Sequence, residues 1–264
     1  MSLLSKFKDD PLFGKVIRSS GALLSTNTLS LALTIFQGAM ITRLLNLESY
    51  GLLRVVMVYA STVNSLLSFR MSELVVRYGG EYLGRGEKDK ASAIMKAAGL
   101  LEAFVSLLAF LVVAATAGLA QRYFTESKGV AWMFIIYAIG LLANFNVETS
   151  TGILQVTHKI QLQGVFNLVQ NVIATLIIGA AFLWNGTLPV VLGAYLLGKF
   201  ILGLGMFIAA QIQLRKILGA GWTKVSLSIL TSTREMIRFA VSSNVSATII
   251  KVFRESELLW VALF

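Results

Sequence analysis

The chain has 264 residues, 56% of them hydrophobic and only 14% charged, with a mean hydropathy of +0.76. A soluble domain carries roughly 25% charged residues, so the apolar runs are solvated by lipid and no stretch is polar enough for a separate soluble domain. Cysteine is absent and His158 is the one histidine, which excludes disulfides, thiolate metal sites and histidine metal clusters within the chain; neither metal nor cofactor is expected. The net charge is +10. Because most Lys and Arg fall in short loops, where they set topology, it argues for membrane orientation and against nucleic acid as a partner.

In chain order, residues 1–20 form a cytoplasmic N-terminal segment with Lys6, Lys8, Lys15 and Arg18. No small-residue cleavage site follows the first apolar run cleanly, so that run reads as a retained span and not a signal peptide. About seven apolar segments follow, at 21–42, 50–69, 93–120, 130–149, 163–184, 189–212 and 237–262, with ends good to about three residues. In lipid such runs satisfy their backbone only as helices or in a closed barrel. They are too long and too continuously apolar for barrel strands. The predicted fold class is all-α: a polytopic transmembrane bundle.

Loop charge orients the bundle. The loop 70–92 carries Arg70, Arg77, Arg85, Lys88 and Lys90, with Lys96 beyond; 150–162 carries His158 and Lys159; 213–236 carries Arg215, Lys216, Lys224 and Arg234. The alternate connections hold only Arg43, then Arg122 and Lys128, then none over 185–188. The asymmetry puts the N-terminus and the even-numbered loops in the cytoplasm. The chain ends in an apolar run, Leu258 to Phe264, with no polar exit. This is the expectation for a fragment of a longer carrier.

Polar stripes run along the spans, since residues three, four or seven apart share a helix face. They are Asn27, Ser30, Thr34 and Gln37; Tyr50, Arg54, Ser61, Ser65 and Ser68; Tyr137, Asn144, Glu148 and Thr151; Gln163, Asn167, Gln170 and Asn171; Tyr195 and Lys199; and Asn244, Thr248, Lys251 and Glu255 with Arg254 close by. One stripe alone is explained by helix–helix contacts worth about 0.6 kcal/mol each. Six together, two with a mid-span cation, predict a shared aqueous cavity. Lys199 has no acid within ten positions, and a cation at mid-bilayer costs about 2.5–3.5 kcal/mol on insertion scales. It is expected to face water, a partner or an anionic ligand, as is Arg54. Arg offers a planar donor fork and Lys a point charge to phosphate. Glu102 is expected either to pair across helices with Arg54 or Lys199 or to bind a coupling proton; Glu148, nearer a helix end, is the second candidate. Lys96 is expected to snorkel to the interface. Gly193, Gly198, Gly203 and Gly205 read as close-packing or bending positions.

Two stretches carry a family resemblance. Ile41 to Leu52, with Leu45-Asn46-Leu47-Glu48-Ser49-Tyr50-Gly51, resembles the turn after the first span of polysaccharide flippases. Val76-Arg77-Tyr78-Gly79-Gly80-Glu81-Tyr82-Leu83-Gly84-Arg85-Gly86-Glu87-Lys88-Asp89-Lys90-Ala91 resembles their cytoplasmic connector more closely. The family is the polysaccharide and lipid-linked oligosaccharide branch of the multidrug/oligosaccharidyl-lipid/polysaccharide exporter superfamily. The resemblance implies two six-helix lobes: residues 21–212 as the N-terminal lobe, 213–236 as the basic inter-lobe connector, and 237–264 as the first helix of an incomplete second lobe. Ser25-Thr26-Asn27 is faintly echoed by Ser242-Ser243-Asn244. It further implies alternating access for a polyprenyl-diphosphate-linked glycan at the inner membrane, with membrane lipid and other polysaccharide-assembly membrane proteins as partners. Substrate-binding candidates are Arg54, Lys199, Lys251, Arg254, Asn27, Gln37, Asn144 and Asn167, with Glu102 and Glu148 as coupling candidates. A drug or small-metabolite exporter of the same fold is the first alternative, disfavoured because the first span lacks an acid. A membrane-embedded glycan polymerase or ligase is the second; the short outer connections, with Glu48 and Glu126 as their acids, offer no paired catalytic groups. No catalytic activity is expected.

Overall fold

The computed structural model describes residues 11–125, 127–230 and 238. The seventh predicted segment, with Asn244, Thr248, Lys251, Arg254 and Glu255, lies outside them. The described residues are helical without strands. In order they form α1 (Pro11–Leu44), α2 (Leu47–Leu67), α3 (Met71–Leu74), a π-helical turn (Val75–Gly79), α4 (Gly80–Gly84), α5 (Lys88–Phe124), α6 (Ala131–Ala143), α7 (Val147–Val156), α8 (Gln161–Leu183) and α9 (Leu188–Leu218). Two short 3₁₀ turns follow, Trp222–Lys224 and Leu227–Ile229.

Five helical stretches are long and apolar enough to cross a membrane: Leu47–Gly84, Lys88–Phe124, Ala131–Val156, Gln161–Leu183 and Leu188–Leu218. The chain is a multi-pass membrane protein. The first predicted span, α1, has 34 residues but is not among the five; Ser25, Thr26, Asn27, Thr28, Ser30, Thr34 and Gln37 dilute its apolar character. Its outer face still presents Leu24, Leu29, Leu31, Ile35 and Phe36. On α5, Leu100, Leu101, Phe104, Leu107, Leu108 and Leu111 are exposed in the same way. On a membrane bundle this is the surface that lipid covers.

The helices pack as α1 on α8, α8 on α9, α9 on α6 and α7, and α6 on α5, with α2 against α5 and α6. One core cluster, around Phe134, Val56, Ala109 and Val191, lies toward the end that bears the α1–α2 and α5–α6 turns. At that end Asn46 accepts the Ser49 backbone N–H to cap α2, and Ser127 Oγ donates to Glu48 Oε1 at 2.6 Å. The other cluster joins Met71, Leu74, Val75, Ile94, Met95, Ile153, Leu214 and Trp222 at the opposite end. Arg70, Arg77, Arg85, Lys88, Lys90, Lys96, Arg215, Lys216 and Lys224 therefore gather at one end, and Arg43, Arg122 and Lys128 at the other.

Three predicted boundaries are corrected. The loop expected over 70–92 is mostly helical, from Met71 through Gly84, with α5 starting at Lys88. Its charges occupy one face and pair within a turn, Arg70 with Glu73 and Arg85 with Glu81. Its apolar residues Met71, Leu74 and Val75, at spacings of three and four, dock on Ile94 and Met95. The loop expected over 150–162 shrinks to 157–160, because α7 runs to Val156. Helix α9 continues to Leu218, six residues into the predicted connector.

The segment after α9 folds back under the bundle. Trp222 is 7% exposed within the second cluster. Lys96 Nζ donates to the carbonyls of Thr223 at 2.8 Å and Val225 at 3.2 Å. Lys96, near the start of α5, thus holds the backbone of this segment at the basic end. Trp→Ala substitutions in a packed site cost about 3–5 kcal/mol. Trp222→Ala is expected to raise hydrogen exchange over residues 219–230 by at least tenfold while leaving α1 and α8 protected. Unchanged exchange there would show that the tryptophan does not hold the segment.

Candidate functional site

Polar side chains from six helices line three neighbouring cavities. The first, of about 420 Å³, is walled by Ser61, Asn64, Ser65 and Ser68 of α2 and its C-cap, Arg70, Glu102 and Ser106 of α5, Asn144, Glu148 and Lys199. The second, about 200 Å³, lies between Thr34 and Gln37 of α1, Gln170 and Asn171 of α8, and Tyr195 and Lys199 of α9. The third, about 560 Å³, is lined by Asn27, Ser30 and Thr34 with Gln163, Asn167, Gln170 and Asn171. Lys199 belongs to the first two, and Thr34, Gln170 and Asn171 to the last two.

Lys199 is half-buried within α9. Its ammonium lies 4.6 Å from the Tyr137 ring centroid, a cation–π contact that offsets part of the cost of desolvating the charge. Its stem crosses α6 at Gly140, where an added Cβ would come within 2.6 Å of Lys199 Cδ. Tyr137, Gly140 and Asn144 stand at spacings of three and four on α6, so the glycine leaves the groove through which the lysine reaches the first cavity.

The span Ala131–Val156 is broken in its middle. α6 stops at Ala143 and α7 begins at Val147, and a broken backbone at membrane depth must find partners. Glu102 supplies two of them. Its Oε1 accepts the Glu148 N–H and its Oε2 the Thr149 N–H, both at 2.8 Å. A carboxylate at a helix N-terminus also meets the positive end of the helix dipole. Asn146 Nδ2 donates to the Gly99 carbonyl at 3.2 Å. On the far side α9 passes so closely that a Cβ on Gly203 would fall 1.8 Å from the Ala143 carbonyl oxygen. Discontinuous helices that line a cavity are a recurring construction of transporter binding sites.

The family profile described as "Polysaccharide biosynthesis protein" matches residues 16–264. The chain belongs to that family. No curated protein and no solved structure matches it. Family members are in general transporters or flippases rather than enzymes, and membership assigns this member a role in polysaccharide synthesis or export.

Within this family member the predicted site residues fall into three groups. Lys199, Asn144, Glu102 and Glu148 meet at the first cavity, Gln37 and Lys199 at the second, and Asn27 and Asn167 at the third. Arg54 lines none of the three. It is exposed on α2, within electrostatic reach of Tyr137 and Tyr195. It shares a face with Ser61 but stands seven residues away, roughly 10 Å along the axis, nearer the opposite end. Lys251 and Arg254 lie outside the described residues. Glu102, a coupling candidate, accepts the backbone N–H groups at the start of α7 with both oxygens. Glu148 accepts the Ser72 hydroxyl at 2.6 Å.

Four buried polar atoms on these walls lack a hydrogen-bond partner: Ser65 Oγ and Asn144 Oδ1 in the first cavity, Gln37 Oε1 in the second and Ser30 Oγ in the third. Such groups call for water or ligand. Asn64, Ser106 and Gly140 were not anticipated. Asn64 lies three residues from Ser61 and Ser106 four from Glu102, so the helical period already pointed to both. Gly140 had no sequence signal apart from its place between Tyr137 and Asn144.

Glu102→Gln turns one acceptor oxygen into a donor facing a backbone N–H. A buried donor left unmet costs about 1–3 kcal/mol. The variant is expected to lose about that much stability and to unfold at a lower temperature in detergent. Wild-type stability in Glu102→Gln would show that the carboxylate does not cap α7.

Proposed function

We propose that the protein flips a polyprenyl-diphosphate-linked oligosaccharide across the cytoplasmic membrane for surface polysaccharide synthesis. The observation that carries the reading is Lys199: a cation inside a span, set on a tyrosine face and opening onto polar space on two sides. A diphosphate is an anion that a lysine at membrane depth attracts, and the Ser and Asn side chains around it donate to phosphate oxygens. Arg70 lines the same cavity from the basic end. The basic end faces the cytoplasm, following the loop-charge rule, so the headgroup enters from the leaflet where the glycan is assembled. The polyprenyl tail stays in lipid along the apolar outer faces, and a second lobe closes the route by alternating access.

The test is transport by the full protein in proteoliposomes. A fluorescent polyprenyl-diphosphate glycan placed in one leaflet is expected to reach the other, where a glycosidase added on that side cleaves it. Transfer no faster than in protein-free vesicles would overturn the proposal. The alternative of a drug or small-metabolite exporter predicts efflux of those compounds with no glycan transfer.

A further inference from the structure

We infer that the trough between α1 and α8 is a subsite for the uncharged sugar next to the diphosphate, separate from the cationic cavity beside it. This rests on the proposed function and assigns its ligand two places. The third cavity, about 560 Å³, is walled by Asn27, Ser30, Thr34, Gln163, Asn167, Gln170 and Asn171 with Leu23 and Leu31. No charged side chain is among these residues. Its size falls within the roughly 300–1,000 Å³ of small-molecule sites. The neighbouring second cavity adds Gln37 and ends at Lys199.

Side-chain amides present donors and acceptors together, which is what a ring of sugar hydroxyls and an acetamido group require. Part of the amide set is already fixed: Gln170 Nε2 donates to Asn167 Oδ1 at 2.7 Å, Asn171 Nδ2 to the Asn167 carbonyl at 2.9 Å, and Gln37 Nε2 to the Asn171 carbonyl at 3.0 Å and Thr175 Oγ1 at 2.8 Å. These bonds hold the wall rigid. What they leave over is an acceptor and a hydroxyl, Gln37 Oε1 and Ser30 Oγ, on residues 0% and 4% exposed and without partners. A hydroxyl-rich neutral ligand engages both without bringing a charge into the trough. A uronic acid in the same place would meet amide and hydroxyl dipoles but no cation until it reached Lys199.

The experiment compares three ligands on the full protein in nanodiscs: polyprenyl diphosphate alone, the same lipid bearing one N-acetylhexosamine, and the same lipid bearing one uronic acid. The neutral sugar is expected to tighten binding at least tenfold over the bare lipid, and the uronic acid to add less than threefold. Gln37→Met and Asn167→Leu are expected to erase the gain from the neutral sugar, and Gln163→Leu, on the third cavity alone, to reduce it at unchanged bare-lipid affinity. Ser30→Ala, which removes one hydroxyl and little packing, reduces the gain about threefold and keeps the test valid should the amide variants misfold. Lys199→Met is expected to weaken all three ligands. If the bare lipid binds and the neutral sugar adds nothing, or if the trough variants weaken bare and glycosylated lipid equally, the subsite is overturned while the proposed function stands. If none of the three lipids binds, the proposed function falls and the subsite falls with it.

Discussion

Lys199→Met is expected to abolish glycan export in cells while the protein stays in the membrane at the wild-type level. Methionine keeps the unbranched stem that lies over Gly140 and fills the same groove, so packing between α6 and α9 is retained. What disappears is the charge on the Tyr137 face. A hydrogen bond to a charged group is worth about 1.5–3 kcal/mol, which is roughly a tenfold to hundredfold loss in affinity for a diphosphate. The substitution also removes the cost of holding a cation at membrane depth, so thermal stability is expected to stay level or rise. This pairing, lost export with undiminished stability, separates a ligand-binding lysine from a structural one. Lys199→Arg is expected to retain part of the activity, because the longer fork reaches the same cavity. Surface polysaccharide measured by immunoblot, beside membrane levels of each variant, checks both statements. Wild-type export by Lys199→Met would remove the lysine from the transport route.

Gly203→Ala has the largest expected effect on folding. The added Cβ lands 1.8 Å from the Ala143 carbonyl oxygen and 3.1 Å from Asn144 Oδ1. The Asn144 amide is a side-chain end that can turn, but the Ala143 carbonyl is backbone and cannot swing aside. Helix α9 must move away from α6. Overpacking of this kind costs about 1–3 kcal/mol, and more where backbone blocks relaxation. The shift also widens the first cavity and pulls Lys199 off Tyr137. Reduced membrane levels and an earlier melting transition are expected, and export is expected to fall with them. Gly193→Ala, at a position where an added Cβ meets nothing within 4 Å, is the matched control and is expected to behave as wild type. Equal behaviour of the two variants would show that α6 and α9 are not held together at this contact.

Much of the bundle was legible because lipid imposes a simple rule on sequence: long apolar runs become helices. The stripes were legible for the same reason. Asn27, Ser30, Thr34 and Gln37 follow the helical period, as do Gln163, Asn167, Gln170 and Asn171, and the structure sets the two faces against one trough. The break between α6 and α7 was not legible. Asn144 and Glu148 are four apart and fit a continuous helix, and no Gly or Pro marks the gap. The group that meets the free N–H groups of α7, Glu102, lies 46 residues away in sequence from the Glu148 N–H it accepts, so only the tertiary fold reveals its task. The connector was misread because its charges resemble a loop, whereas pairing within each turn leaves an apolar face for Ile94 and Met95. Arg54 shows the limit of depth as a guide. Its span and face were readable; it lines none of the three cavities but lies within electrostatic reach of Tyr195, a wall residue of the second.

The proposed function requires Lys199 to stand in water at membrane depth beside a place for a diphosphate. The chain contains no cysteine, so single cysteines report accessibility on a clean background. In native membranes Lys199→Cys and Asn64→Cys are expected to react with a charged, membrane-impermeant thiol reagent and to be protected by polyprenyl diphosphate. Phe104→Cys and Leu197→Cys, on exposed apolar faces, are expected to stay unmodified. A Lys199→Cys thiol as inert as Phe104→Cys, or one that reacts equally with and without the lipid, would contradict the account.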